Sequence, residues 1–144
     1  MKFEHIAHPN PVTAAEREQL IADPGFELGQ AAQQQGHYVT CAPGPSAVVT
    51  ALVLAGLPTD AFFFAGFLPA APSARKRALE RLRDVPGTLV FYESPKRLAA
   101  FLADAAEVLG PDRAAVVCRE ITKKFEETRR GSLSDLVLKT AEHP

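Results

Sequence analysis

The sequence contains little with which to build a covalent or metal-bound framework. Its two cysteines, Cys41 and Cys118, stand far apart and neither belongs to a C-x-x-C pair. That spacing argues against a disulfide scaffold and against a zinc site. His5 and His8 form an H-x-x-H spacing, but no acidic or cysteine partner stands at metal-ligand spacing from them. His37 reads as the start of a strand and His143 lies in the tail. No metal is therefore expected. No apolar run approaches the ~20 residues that cross a bilayer; the longest, Ala47 to Leu57, is interrupted by Thr50 and Gly56. The opening Met1-Lys2-Phe3-Glu4-His5 lacks the apolar core of a secretory signal. There is no P-loop and no Ser-His-Asp arrangement. These absences lead us to expect a reduced, cytoplasmic protein with no membrane partner.

What is present suits a globular chain. Its 144 residues, 47% hydrophobic and 23% charged, are enough for one ordinary domain or parts of two. The net charge of −1 hides an asymmetry. Residues 1–60 hold two basic and six acidic side chains, whereas residues 61–144 hold fourteen basic and eleven acidic. The window Arg75–Arg97 has seven basic residues against three acidic. Such an excess either attracts phosphates or is a solvated helix face.

Asp23-Pro24 gives an N-cap and a proline at the first helical position, predicting a helix that stops at Gly36. His37–Cys41 reads as a short strand, Pro43–Ser46 as a rigid turn, and Ala47–Ala55 as an apolar helix that must be covered on most sides. Leu57–Asp60 is the candidate linker. Beyond it the pattern predicts strands at Phe62–Leu68, Thr88–Tyr92 and Ala114–Cys118. Helices are predicted at Ser73–Arg83, from Ser94-Pro95 to Leu109, and at Ser132–Lys139. The alternation argues an α/β architecture, with opening and closing strands expected to be missing at both ends.

Three segments carry more than packing residues. Cys41–Ala47 is a strand, a Gly-containing turn and a helix start, a common seat for nucleotide-like ligands and equally an ordinary connection. Thr88–Arg97 ends a strand in Tyr92 and Glu93 and then places Lys96 and Arg97 in a helix's first turn. They oppose the macrodipole there, so either they bind phosphate or Arg97 pairs with the carboxylate. Cys118–Gly131 is dense in charges of alternating sign and by composition is a surface network.

Six phrases occur in order over about 110 residues: Ile21-Ala22-Asp23-Pro24-Gly25, Pro43-Gly44-Pro45-Ser46-Ala47, Ala55-Gly56-Leu57-Pro58-Thr59-Asp60, Gly66-Phe67-Leu68-Pro69, Phe91-Tyr92-Glu93-Ser94-Pro95, and Arg119 to Glu127. In that order they resemble the ribosomal RNA small-subunit (cytidine-2'-O)-methyltransferases of the tetrapyrrole methylase superfamily. The resemblance implies an α/β enzyme of two domains, usually a homodimer, that binds S-adenosylmethionine between them. Residues 20–57 would end the N-terminal domain and 58–144 would be most of the C-terminal α/β domain, lacking its last strand. Residues 1–19 match nothing in the family. The family's first glycine turn and its acidic-Gly-Pro loop have no counterpart. Ala71 stands where lysine is common, with Arg75, Lys76 and Arg77 nearby as replacements, and Lys96 stands where histidine is common.

Motif membership, chemistry and the basic window together suggest roles. Pro43, Gly44, Pro45, Ser46, Ala47 and Tyr92 would bind the cofactor. Glu93 and Glu120 are the carboxylates expected to accept a ribose hydroxyl proton, with Arg119 and Lys123 positioning RNA or the acidic partner. Arg75, Lys76, Arg77, Lys96 and Arg97 would grip RNA phosphates, and Tyr92 would offer a stacking surface. The expected partner is small-subunit ribosomal RNA, not DNA. The alternatives are a corrin or porphyrin precursor methylase and a non-catalytic remnant. The missing elements predict a chain impaired in methyl transfer and prone to self-association.

Overall fold

The computed structural model describes residues 24–142. Asp23, Ile21-Ala22, His5, His8, His143 and the unmatched segment 1–19 lie outside the described residues. The chain forms two compact units that divide after Gly44.

In the first unit, α1 runs from Pro24 to Gln34. Its end is closed by the His37 amide, which donates to the Ala32 carbonyl at 2.9 Å, with Gly36 at a φ of 77°. The strand expected at His37–Cys41 does not form: the segment is irregular and Tyr38 is 86% exposed. A strand needs a ladder partner, and none is offered to this stretch among the described residues.

The second unit holds α2 (Ala47–Ala55), β1 (Phe62–Phe67), α3 (Pro72–Leu82), β2 (Thr88–Tyr92), α4 (Pro95–Leu109), β3 (Ala114–Arg119), β4 (Glu127–Ser132) and α5 (Leu133–Glu142). β1 and β2 pair in parallel, with a bulge between Phe64 and Gly66. β3 and β4 pair antiparallel, from Ala114 opposite Ser132 to Arg119 opposite Glu127. The four strands thus form two separate ribbons.

Helices α3, α4 and α5 supply most of the core. Leu79 and Leu136 are fully buried, with Leu102, Ala105, Phe101 and Val108 around them. Leu98, Phe101, Leu102, Ala105, Val108 and Leu109 of α4 form the apolar stripe that meets this core, as helical periodicity demands. Phe91 of β2 joins it through Phe101, ring centroids 5.2 Å apart. Helix α2 packs on β3 and β4 through a face that includes Leu52 and Ala55. Val49 and Val53 remain 55% and 77% exposed, so the expected cover on most sides is absent within this unit.

The segment between α2 and β1 is stitched to the start of β2. The Thr88 hydroxyl donates to the Pro58 carbonyl at 2.6 Å, and the Thr88 amide to the Ala61 carbonyl at 2.9 Å. Gly87, at a φ of 115°, permits this approach: a Cβ there would lie 2.5 Å from the Ala61 oxygen.

Candidate functional site

A cavity of about 930 Å³ opens between β2 and β3, with apolar side chains of α4 and α5 along its walls. Helix α4 joins β2 to β3, and residues at the C-terminal ends of both strands line this cavity. Tyr92, Glu93 and Lys96 after β2, and Arg119, Glu120 and Ile121 at the end of β3, line this single cavity. Crevices beyond the carboxyl ends of such strands are where α/β folds bind ligands.

Glu93 is the most constrained of these groups. Its side chain is 5% exposed, and Oε1 accepts the Ser94 amide at 2.7 Å. Oε2 lies 3.2 Å from Nη2 of Arg97, close enough for charge attraction, yet no aligned donor reaches it. Arg97 instead aims Nη2 at the carbonyls of Leu68 (2.8 Å) and Pro69 (3.3 Å). A buried carboxylate therefore keeps one oxygen electrostatically supported but short of a hydrogen bond. Ser94 occupies the N-cap of α4 without a side-chain cap bond, contrary to the expectation from Ser94-Pro95. Tyr92 packs against Phe64 and Phe67, centroids 4.9 and 5.6 Å away.

The loop after β3 is built differently. Glu120 and Thr122, neither of them glycine, adopt left-handed backbone with φ of 52° and 63°. Left-handed residues of this kind store strain and cluster at functional sites. The turn is closed by Lys123 N to Glu120 O at 2.9 Å and by Thr122 N to Glu126 Oε2 at 2.6 Å. Lys123 pairs with Glu120 at 3.3 Å and does not line the cavity. Cys118, half-buried beneath the loop, has its thiol pushed above the ordinary range by burial.

The basic window is mostly committed to the frame. Arg75 is 3% exposed and holds the buried Asp104 through Nε and Nη2, each 2.6 Å from Oδ2, while Nη1 reaches the Ala70 carbonyl. It cannot grip RNA, nor can it replace a lysine at position 71, because its charge is already spent inside. Lys76 pairs with Glu107 at 2.6 Å, and that hydrogen bond raises its pKa above the ordinary lysine value. Arg83 clasps the Val108 carbonyl near the end of α4 from 2.9 and 2.7 Å. Arg97 is tied to Glu93 and the Leu68 carbonyl, which is the pairing alternative for the β2–α4 turn. Arg77, Arg81 and Lys96 stay exposed, with no ion pair among the described residues. Arg81 carried no separate assignment from sequence.

Arg130 was also missed. It donates to the Leu54 and Ala55 carbonyls at the C-terminal end of α2, where a cation suits the macrodipole. A run of arginines in a polar strand gives no sequence signal for such a contact. Of the predicted turn, Pro43 and Gly44 fall in the first unit and Pro45, Ser46 and Ala47 in the second. All five are exposed. Ser46 caps α2, accepting the Val49 amide at 3.4 Å. Among the described residues no cluster of His, Cys, Asp and Glu is arranged to hold a metal ion, and no helix is long and apolar enough to cross a membrane.

Residues 20–137 match the family model described as Tetrapyrrole (Corrin/Porphyrin) Methylases. The chain belongs to that family. Among curated members of similar sequence, the protein named ribosomal RNA small subunit methyltransferase I of Mycobacterium tuberculosis is 52% identical over 119 residues, 83% of this chain and 42% of that protein. Proteins of the same name from Mesorhizobium japonicum and Pseudomonas aeruginosa are 50% and 47% identical, each over 81% of this chain and 40% and 42% of their own lengths. This tetrapyrrole methylase family member thus spans about two-fifths of those relatives. The matched region contains every cavity-lining polar residue named above.

Proposed function

We propose that this chain is part of an S-adenosylmethionine-dependent methyltransferase that methylates the ribose 2'-hydroxyl of a cytidine in small-subunit ribosomal RNA. Residues 20–57 would close an N-terminal domain and residues 58–144 would form most of a C-terminal one. The working enzyme is proposed as a cytoplasmic homodimer. The observation that carries the reading is the buried Glu93 carboxylate, whose Oε2 lacks a hydrogen-bond donor, on a residue that lines the same cavity as Arg119 and Glu120. The relatives' printed name supports the substrate class.

The chemistry of the residues fits the cofactor: an apolar cavity wall for an adenosyl group, and buried carboxylate oxygens for hydroxyl or amino donors. When bound, S-adenosylmethionine supplies a methyl group on a sulfonium that leaves readily. The protein's tasks are then to align the ribose oxygen, exclude water and take the hydroxyl proton. Glu93 Oε2 is the proposed acceptor, with Glu120 as its alternative. Arg119 would hold the RNA backbone, while Lys123 fixes Glu120. Arg77, Arg81 and Lys96 would grip phosphates, and Pro45, Ser46, Ala47 and Tyr92 of the second unit would contact the cofactor.

The test uses a chain of the relatives' full length. Glu93→Gln should lower turnover roughly 10²–10⁴-fold with cofactor affinity retained. Near-normal turnover in both Glu93→Gln and Glu120→Gln would remove carboxylate catalysis. Reversing Arg77, Arg81 and Lys96 to glutamate should weaken RNA binding and flatten its salt dependence. A second reading, methylation of a corrin or porphyrin precursor, is favoured by the family description. It would be supported if methyl transfer occurred to such a macrocycle and not to RNA.

A further inference from the structure

The connection between β3 and β4 carries an aromatic ring that packing does not use. The Glu126 amide donates to the Lys123 carbonyl at 3.1 Å, which makes Lys124 and Phe125 the two central residues of a tight turn. Phe125 is 73% exposed, with Lys124 Nζ 5.4 Å from its ring centroid. Ile121 before this turn and Glu127 after it both line the cavity, so the ring stands beside the cavity rim. Tyr92, the stacking surface expected from sequence, is half-buried with Phe64 and Phe67 packed on it. The exposed phenylalanines of β1 do not line the cavity.

A lone exposed apolar side chain is ordinary; its surroundings decide what this one can do. The acidic groups nearby are engaged. Glu120 pairs with Lys123 at 3.3 Å, and Glu126 Oε2 accepts the Thr122 amide at 2.6 Å. Arg119 and Lys124 are exposed and have no ion pair among the described residues. Thr122, Lys123, Lys124 and Glu126 around the ring are all polar and exposed, so Phe125 is not the centre of the apolar patch that a protein partner needs. An aromatic face beside uncommitted cations suits an unpaired nucleobase and its phosphates. The turn's hydrogen bonds already fix the backbone, so stacking would order little beyond the ring itself.

We propose that Phe125 is a stacking platform for an unpaired base flanking the target nucleotide of the RNA substrate, with Lys124 and Arg119 holding the adjacent phosphates. The inference rests on the RNA reading above and adds a specificity element to it. A base inside a duplex has both faces covered by its neighbours, so the platform selects single-stranded over paired RNA.

The test uses a chain of the relatives' full length and fluorescein-labelled probes: a short oligocytidylate, an abasic ribose-phosphate strand of equal length, and an RNA duplex. Phe125→Ala should weaken oligocytidylate binding roughly 5- to 100-fold and leave the other two probes within about twofold. Its salt slope should be unchanged, whereas Lys124→Ala should reduce the slope by about 0.7. Phe125→Trp should restore affinity and Phe125→Leu should not. Unchanged oligocytidylate affinity in Phe125→Ala, equal weakening on the abasic strand, or full affinity in Phe125→Leu would each overturn the platform while the RNA reading stands. A change of subunit mass in Phe125→Ala with RNA affinity untouched would make the ring a contact between copies of the chain and overturn it equally. If the unsubstituted chain bound none of the probes, the RNA reading itself would fall and this inference with it.

Discussion

At the end of β2 the Glu93 side chain is 5% exposed, and its neighbour Arg97 reaches back to the Leu68 carbonyl. At the end of β3 the Glu120 side chain is 43% exposed, on left-handed backbone, and its partner Lys123 is 66% exposed. The two motifs look alike in sequence, each a carboxylate with a cation three or four residues on. The first is built into the frame, with one buried oxygen left short of a hydrogen bond. The second is held out to solvent on strained backbone, and its capacity is access. Composition does not separate the two; burial does.

The comparison breaks most visibly where cations have turned inward. Arg75 carries that furthest, and Arg75→Ala would strand the buried Asp104 carboxylate. Removing one partner of such a pair costs about 3–5 kcal/mol, read as a lower denaturant midpoint with an unchanged slope. A loss below about 1 kcal/mol would mean that water or Lys76, 3.7 Å from Asp104, takes over. Arg97→Ala should come next, at about 1.5–3 kcal/mol, since hydrogen bonds from a charged donor are lost and Glu93 loses its nearest positive charge. If Arg97→Ala were neutral in stability, the frame assignment at β2 would fail.

The fold's apolar parts were legible in the sequence. The stripe of α4 and the β-branched and aromatic run of β2 have the periods of their elements, and Thr88–Tyr92 forms the predicted strand to the residue. β4 was not legible. Glu127–Ser132 contains no apolar side chain, and it is a strand because β3 provides a register for it. His37–Cys41 is the converse, a β-prone stretch without a partner. In the candidate site, motif membership placed Glu93, Arg119 and Glu120 on one cavity. It could not foresee that Arg75 and Arg83 serve a carboxylate and carbonyls of the core, or that Arg97 also reaches the Leu68 carbonyl, because these contacts join residues about 25–30 positions apart.

Smaller changes sharpen the β3 side of the comparison. Thr122→Gly should raise stability by up to ~1 kcal/mol, since glycine adopts a φ of 63° without the Cβ clash. If the strain positions the loop for function, the same variant in a full-length chain should lose turnover while gaining stability. A fall in both would show that the Thr122 side chain itself supports the loop. Glu120→Gln should leave stability within about 0.5 kcal/mol, as expected for an exposed pair. A larger loss would place Glu120 in the frame beside Glu93 and erase the distinction.

The smallest effect concerns an exposed carboxylate that does not line the cavity. Ser132 and Asp135 form a capping box at the start of α5: the Asp135 amide donates to the Ser132 hydroxyl at 3.1 Å, and the Ser132 amide donates to Asp135 Oδ2 at 3.0 Å. The Ser132 amide and hydroxyl hold the Asp135 carboxyl below its usual value of 3.8. A carboxylate whose folded pKa is depressed contributes stability above its unfolded pKa and loses it as pH falls through the folded one. The stability difference between the wild type and Asp135→Asn should therefore be constant at neutral pH. It should shrink only below about pH 4, where the unfolded carboxyl begins to bind protons. Urea midpoints of both chains between pH 7 and pH 3 would measure it. A difference that changed between pH 5 and 7 would place the titrating group elsewhere, and α5 would owe its start to packing of Leu133 and Leu136 alone.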